Sequence, residues 1–107
     1  MKPFDIFIAY ISWGEDGKNR PVLAIVLDDE SIDVYQITTK YESKSEAIRA
    51  LHFKIDEWKQ AGLDEQSYID TGTLISLSTA AFNKKTPIGK LSEHDKRRLL
   101  DFLTTYI

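Results

Sequence analysis

The residues of this chain that could do chemistry lie in two short segments: a polar loop with the residue that follows it, and the end of a later strand. They are Glu15, Lys18, Asn19, Arg20, Thr38, Thr39 and Lys40. Arg20 opens an apolar strand that would fix its backbone, and Thr38 ends another strand that should run beside it. A planar five-donor cation, a hydroxyl and a carboxylate at one rim of a barrel can hold a phosphodiester and stabilise the charge that grows on it in the transition state.

A simpler hypothesis competes with this one. An arginine beside loop carboxylates such as Glu15 and Asp16 is a common surface ion pair, and such pairs contribute little to stability. Trp13 stands in the same loop, where we favour a lid over one end of the barrel rather than a platform on which bases stack. The residues alone leave both interpretations of Arg20 open.

Other kinds of site are disfavoured by the sequence. Gly14 and Gly17 precede a strand rather than a helix, which argues against a phosphate-binding glycine loop. His52 and His94 are isolated, so we predict no metal site and no cofactor. We interpret His52 as an outward-facing strand residue beside Lys54, and His94 as a solvated residue in the first turn of a helix.

The composition is that of an ordinary globular domain. The chain has 107 residues with 17 acidic and 14 basic side chains, a formal net charge of -3 and no cysteine. Its length fits one domain spanning 1–107, and the lack of cysteine excludes a disulfide scaffold and a thiol nucleophile. No apolar run reaches the roughly 20 residues of a membrane span, and the N-terminus is unlike a secretory signal, so we expect a cytosolic protein with no membrane partner. The negative charge argues against binding through a broad basic face.

The first sixty residues have the pattern of an antiparallel meander. We predict a strand at 4–11 that is buried on both faces and a polar loop at 12–19. An apolar strand follows at 22–27, and Pro21 fits the first residue of that strand, where its missing N–H does least damage. An acidic turn leads from there into a strand at 32–39.

Residues 45–60 allow two interpretations. The alternation of apolar and polar residues at 51–55 predicts a half-buried strand after a short loop or helical turn. Apolar residues of this segment also recur at helical spacing and would lie on one face of a helix, which instead favours a single helix over 45–60. We favour the strand.

The remainder of the chain predicts short strands and one terminal helix. We expect an extended piece at 67–69, a strand at 73–77, a turn at 82–87 and a short strand at 88–91, with Ser92 as the cap of the helix. The apolar stripe of this helix comprises Leu99, Leu100, Phe102, Leu103 and Tyr106, and the residues placed away from it are Asp95, Lys96, Arg97, Arg98 and Asp101. The fold predicted is mainly β with α, a small bent antiparallel barrel with a C-terminal helix.

Several short segments occur in a recognisable order. They are Phe4-Asp5-Ile6, Arg20-Pro21-Val22-Leu23, Val34 to Thr39, Ala61-Gly62-Leu63, Ser67-Tyr68-Ile69 and Ile88 to Ser92. In this order they resemble the MazF/PemK family, the ribonuclease toxins of type II toxin–antitoxin systems. The resemblance covers nearly the whole chain, and the ordered series carries it rather than any single segment.

The resemblance implies an SH3-like barrel that dimerises and cleaves single-stranded mRNA without a metal, by attack of a 2′-hydroxyl on the adjacent phosphate. It implies that Arg20 neutralises charge in the transition state, that Thr38 donates a hydrogen bond to a non-bridging oxygen, and that Glu15 accepts the 2′-hydroxyl proton. The implied substrate-binding residues are Lys18, Asn19, Thr39 and Lys40.

The chain departs from the family pattern in three places: the first loop, the segment Thr71-Gly72-Thr73 and the polar segment 42–50. Two alternatives stay open, the first of them because of the altered loop and the acidic balance of the chain. One is a catalytically inactive barrel that acts as a binding or assembly module. The other is a toxin that resembles CcdB and poisons gyrase, for which Arg20 would not be needed.

The resemblance also implies partners. We expect a homodimer whose contact face includes Phe4, Phe7 and Tyr10, and an antitoxin whose tail competes with RNA for Arg20 and its neighbouring lysines. Contact with DNA would come only through the antitoxin. The acidic turns are expected to lie away from the proposed RNA groove, near which Lys18, Arg20 and Lys40 cluster. Because only these few cations face the phosphates and the net charge is negative, we predict weak, salt-sensitive binding of RNA.

Overall fold

The computed structural model describes residues 2–82 and 86–105. Within these residues six strands form a single antiparallel sheet that curls into a half-barrel, with the strand order β4-β5-β3-β2-β1-β6. The strands are β1 (Asp5–Trp13), β2 (Asp16–Leu27), β3 (Ser31–Thr38), β4 (His52–Lys54), β5 (Tyr68–Ser78) and β6 (Gly89–Lys90). Helix α1 (Glu46–Arg49) precedes β4, and helix α2 (Glu93–Thr105) follows β6. The predicted fold class, mainly β with a C-terminal helix, is confirmed.

The sheet is buried on both faces along β1. Ile6 belongs to one core cluster, which also contains Leu99 of α2, whereas Phe7 and Ala9 belong to a second cluster built with β2 and β3. The prediction that this strand is buried on both faces is therefore confirmed. Phe7 is fully buried within the chain, so its expected place on a dimer face is wrong. Tyr10 from the same prediction is 46% exposed.

The polar segment at 12–19 is a hairpin rather than a loop. Trp13 pairs with Asp16, and the ladder between β1 and β2 continues through this segment to Ile6 and Leu23. Gly14 turns the chain with a φ of 59°, a left-handed conformation that glycine adopts at low cost. The prediction of a loop was wrong because the polar residues at this exposed end of the sheet show no apolar alternation. Hydrogen bonds to the partner strand, rather than burial of apolar side chains, stabilise the hairpin here.

Pro21 lies inside β2 and is not its first residue, which corrects that prediction. It is opposite Ile8 of β1, while β3 pairs with β2 only from Val22 onward. The missing N–H of the proline therefore interrupts no pairing with β3.

The central part of the chain follows the interpretation that we favoured. Helix α1 is the short helical turn that this interpretation predicted, with Ser45 as its cap, and strand β4 follows it. The two pieces predicted at 67–69 and 73–77 are instead one strand, β5. The register of β5 against β3 jumps between Asp70 and Ile75, so a bulge separates the two pieces.

Helix α2 begins as predicted, because the N–H of Asp95 donates to the Ser92 hydroxyl at 3.2 Å. Leu99 is buried, and Phe102 and Leu103 pack against the first core cluster. Two expectations on this helix are wrong: Leu100 is 47% exposed, and Asp95 is fully buried. Tyr106 and part of the predicted turn at 82–87 lie outside the described residues. No helix in the described ranges is long and apolar enough to cross a membrane.

Candidate functional site

A concave pocket of about 400 Å³ opens on one face of the sheet. Its walls come from the ends of β1, from β2, β3, β4 and β5, and from the segment that includes α1. The lining residues are Trp13, Arg20, Gln36, Thr38, Lys44, Ile48, His52 and Asp70. The pocket is the place where side chains from most of the sheet converge.

Strand register explains this convergence. Gln36 of β3 is opposite Asp70 of β5, and Asp70 is opposite His52 of β4, so these three residues form one row across the sheet. Residues directly opposite each other share a face, and so do residues two apart on one strand. Val22 is opposite Gln36, so continuing the same register by two residues places Arg20 opposite Thr38 on that face.

Arg20 reaches the pocket with unused hydrogen-bonding capacity. Its guanidinium lies 5.5 Å from the centre of the Trp13 ring, a cation–π contact. Its Nε is buried and has no hydrogen-bond partner, and within residues 2–82 and 86–105 Arg20 makes no ion pair. The simple surface ion pair is therefore not what the structure contains. A buried N–H without a partner costs about 1–3 kcal/mol. Because Nε is buried, the terminal NH₂ groups of the guanidinium are the donors that an anionic ligand in the pocket would meet.

A neighbouring cavity of about 220 Å³ shares Arg20 and Thr38 with the pocket. It is also lined by Lys18, Asn19, Thr39 and Lys40, so the structure brings together every candidate residue from the sequence except Glu15. Glu15 is exposed at the turn of the first hairpin and lines neither cavity.

Thr38 is oriented by the backbone that follows it. The N–H of Lys40 donates to the Thr38 hydroxyl oxygen at 3.1 Å. Because this oxygen accepts that bond, the hydroxyl hydrogen can still be donated to a ligand. Thr38 therefore presents one hydrogen-bond donor beside Arg20.

His52 lines the pocket, and the prediction that it is an outward-facing residue is wrong. It is on the polar face of β4, as alternation with Phe53 requires, yet it is only 7% exposed. Its Nδ1 lies 2.9 Å from the carbonyl oxygen of Ile48 in α1, and the Tyr41 ring packs edge-on against it at 6.3 Å. The segment before β4 covers this face, and the alternation within β4 contains no signal for that cover.

Two tyrosines stack beside the pocket. The rings of Tyr41 and Tyr68 are 4.4 Å apart and nearly parallel, at 9°. Tyr68 is opposite Thr38 in the sheet, and the guanidinium of Arg49 lies 5.7 Å from the Tyr41 ring centre. The stack holds the loop that contains Tyr41 against β5, and this loop leads into α1 above His52.

A second cluster of ionisable side chains joins α2 to the end of β4 and has a structural role. Asp95 accepts hydrogen bonds from the backbone N–H groups of Asp56 and Glu57, at 3.0 and 2.7 Å, and from Arg98 at 2.7 Å. His94 is exposed, as expected, and lies 3.0 Å from Asp56. This hydrogen bond, with the nearby charges of Arg98, His94 and Lys54, holds the pKa of Asp56 below its ordinary value of 3.8.

Comparison with known proteins bears on the architecture. No protein family model matches the chain, and no curated protein sequence matches it. The solved structure of the Mycobacterium tuberculosis toxin MazF-mt6 matches 94% of this chain and 93% of its own length, with a TM-score of 0.71 and 20% sequence identity. The chain has the MazF fold. The resemblance derived from the ordered segments is thereby confirmed at the level of the fold, and the pocket is a feature of a MazF-like sheet.

Proposed function

We propose that this protein is the toxin of a type II toxin–antitoxin system and cleaves single-stranded RNA in the pocket that contains Arg20 and Thr38. The observation that carries the proposal is Arg20 itself. In a MazF-like sheet, a positively charged side chain with a buried, unpartnered donor projects into a concave site beside a threonine hydroxyl. Such a site suits a phosphodiester.

The proposed reaction is a transfer within the RNA. The 2′-oxygen attacks the adjacent phosphorus, the bond from phosphorus to the 5′-oxygen breaks, and the products are a cyclic phosphate and a free 5′-hydroxyl. Arg20 stabilises the negative charge that develops on the phosphoryl oxygens, and Thr38 donates a hydrogen bond to one of them. Arg20 supplies fixed positive charge at the phosphate, so we propose a step that involves no metal ion.

Binding of the flanking phosphates is assigned to the neighbouring cavity. Lys18 and Lys40 line that cavity together with Arg20 and Thr38, and Asn19 and Thr39 are their polar neighbours. This local set of cations seats a few phosphates even though the whole chain has a net charge of -3. Binding through a few charge contacts weakens steeply as salt rises.

The same cations make the site a target for an antitoxin. An acidic or amphipathic tail that occupies the two cavities would displace RNA from Arg20 and its neighbours. A homodimer is also part of the proposal, with the exposed Tyr10 and the half-buried Phe4, rather than Phe7, as candidates for its contact face.

Cleavage of a long unstructured RNA in EDTA tests the proposal, with Arg20→Ala as the variant and Arg97→Ala, an exposed arginine of α2, as the matched control. Removing one group that stabilises transition-state charge slows a reaction by about 10²–10³-fold. We expect that loss for Arg20→Ala, with unchanged circular dichroism, loss of growth arrest on expression, and full activity for Arg97→Ala.

Two results would contradict the proposal. Equal activity of Arg20→Ala and the parent protein would remove Arg20 from the site. Intact RNA at a large excess of parent protein would reject the nuclease and leave the inactive binding module or the gyrase-directed toxin.

A further inference from the structure

His52 is held in one tautomer by its contact with α1. A carbonyl oxygen only accepts hydrogen bonds, so the 2.9 Å contact with Ile48 requires that Nδ1 of His52 carries a hydrogen. In the neutral ring Nε2 then has a free lone pair. Across residues 2–82 and 86–105 Nε2 has no hydrogen-bond partner, and His52 lines the pocket that Arg20 and Thr38 line.

His52 and Arg20 lie on opposite sides of the same pocket. Strands β3 and β5 lie between β2 and β4, so the two backbones are about 14 Å apart at about 4.8 Å per strand. Both side chains nevertheless face one pocket, Arg20 from one side and His52 from the other. The pocket between them, about 400 Å³ in volume, has room for a ribose attached to a phosphate held by Arg20 and Thr38.

We propose that His52 is the catalytic proton acceptor for the attacking 2′-hydroxyl, a role that the family resemblance implied for Glu15. This inference rests on the proposed function. The 2′-O–H bond breaks and its proton goes to Nε2, while the 2′-oxygen forms its bond to phosphorus and the 5′-oxygen leaves with the electron pair of the broken bond. The 5′-oxygen takes a proton from water, and the imidazolium returns its proton to solvent.

Several charged and titratable groups face His52. Asp70 of β5 is directly opposite it in the sheet, and its carboxylate accepts a hydrogen bond from the N–H of Gly72 at 2.9 Å. The groups around the ring are Arg20, Tyr41, Lys44 and Asp70 on the pocket side, and Lys54, Arg98 and Asp101 in the cavity between β4 and α2. Asp70 is the acid nearest in register, so Asp70→Asn is the variant that separates a carboxylate base from a histidine base.

The test is the rate of RNA cleavage under single-turnover conditions as a function of pH. His52→Asn preserves a side-chain N–H near the position of Nδ1, which can still donate to Ile48, and it removes the base. We expect the rate to fall about 10²–10⁴-fold. We also expect the variant to lose the acidic limb of the pH–rate profile, the fall in rate toward acidic pH that a histidine base produces. Affinity for an uncleavable RNA with a 2′-deoxy substitution should be unchanged. His94→Asn, which changes the other histidine, should retain rate and profile.

Two further measurements keep the inference testable if His52→Asn does not fold. Nitrogen NMR of the parent protein should show the hydrogen of His52 on Nδ1. Imidazole added to His52→Ala should restore part of the cleavage, because the pocket is large enough to admit it.

The possible failures are distinguishable. A His52→Asn variant with the parent rate and profile, or a neutral His52 ring with its hydrogen on Nε2, overturns the role of His52 while Arg20→Ala still tests the nuclease. A loss of rate that equals the loss of affinity, with an unchanged profile, shows a structural role only. A loss of the acidic limb in Asp70→Asn but not in His52→Asn assigns the base to Asp70. A parent protein that leaves RNA intact rejects both proposals.

Discussion

Replacing Asp95 tests how α2 is attached to the rest of the protein. Its buried carboxylate accepts three hydrogen bonds: from Arg98 and the Asp56 N–H on one oxygen, and from the Glu57 N–H on the other. Asp95→Asn keeps the size of the side chain, and its single carbonyl oxygen can retain the first two bonds. Its amide NH₂ then faces the Glu57 N–H, and two donors cannot bond to each other.

The expected loss of stability follows from the number of hydrogen bonds that each substitution removes. A buried N–H left without a partner costs about 1–3 kcal/mol, and bonds to a charged acceptor lose roughly half their value when the acceptor becomes neutral. We therefore expect Asp95→Asn to lower the free energy of unfolding by about 2–4 kcal/mol. Asp95→Ala removes the acceptor altogether and leaves the N–H groups of Asp56 and Glu57 without a partner, while Arg98 keeps its ion pair with Asp56 at 3.3 Å. At about 1–3 kcal/mol for each N–H group, the loss should be about 2–6 kcal/mol.

Urea titration followed by circular dichroism measures these losses. In a domain of this size 1 kcal/mol corresponds to about 4–8 °C in Tm, so the Asp95→Asn shift should exceed roughly 8 °C. Asp101→Asn is the control, because it makes the same change at an exposed position of the same helix, where surface substitutions alter stability by about 0.5 kcal/mol or less. An Asp95→Asn variant as stable as Asp101→Asn would refute the reasoning.

Two further predictions concern stability. A Cβ at Gly89 would overlap the carbonyl oxygen of Ala61, so Gly89→Ala should cost about 1–3 kcal/mol in urea titrations, and a variant as stable as the parent would show that β6 can shift freely. The pKa of Asp56 is lower in the folded protein than its ordinary value. The charged Asp56 side chain therefore contributes its full stabilisation at pH values above the ordinary pKa, and this stabilisation is lost as the pH falls through the lowered pKa. Between about pH 5 and 2, Asp56→Asn should therefore lose less stability than the parent protein, and parallel curves would exclude this contribution.

Much of the fold follows from signals that are local in the sequence. The apolar runs of β2 and β3 predicted both strands, and a serine cap predicted the start of α2. The helical turn and strand that we favoured within 45–60 were also predicted from spacing alone. Each of these elements depends on the periodicity and capping of its own residues, so neighbouring positions are sufficient to predict it.

The errors occurred where distant partners stabilise a segment. The hairpin end at 12–19 is polar, and its ladder partner rather than its own pattern makes it a strand. Asp95 is buried because donors from residues 38 and 39 positions away saturate it. A charged residue on a helix predicts a solvated face unless such partners are known.

The two glycines of the matched segments illustrate the same limit. Gly62 has a φ of 86° and lies against the carbonyl of Ile88, while Gly89 lies against Ala61. The sequence showed two glycine-containing segments far apart. The structure shows that they pack against each other, and this contact explains why both positions lack a side chain.

The residues of the candidate site also fall into two groups, those that the sequence placed together and those that only the tertiary structure placed there. By itself, the sequence determined that Arg20 and Thr38 end up together, because each is fixed to a strand whose neighbour is adjacent in the chain. Only the tertiary structure decided that His52 and Asp70 share their pocket and that Glu15 lies outside it. The register of β4 and β5 against β3 is set by long-range pairing and by the cover of α1, and no local pattern of residues encodes that register.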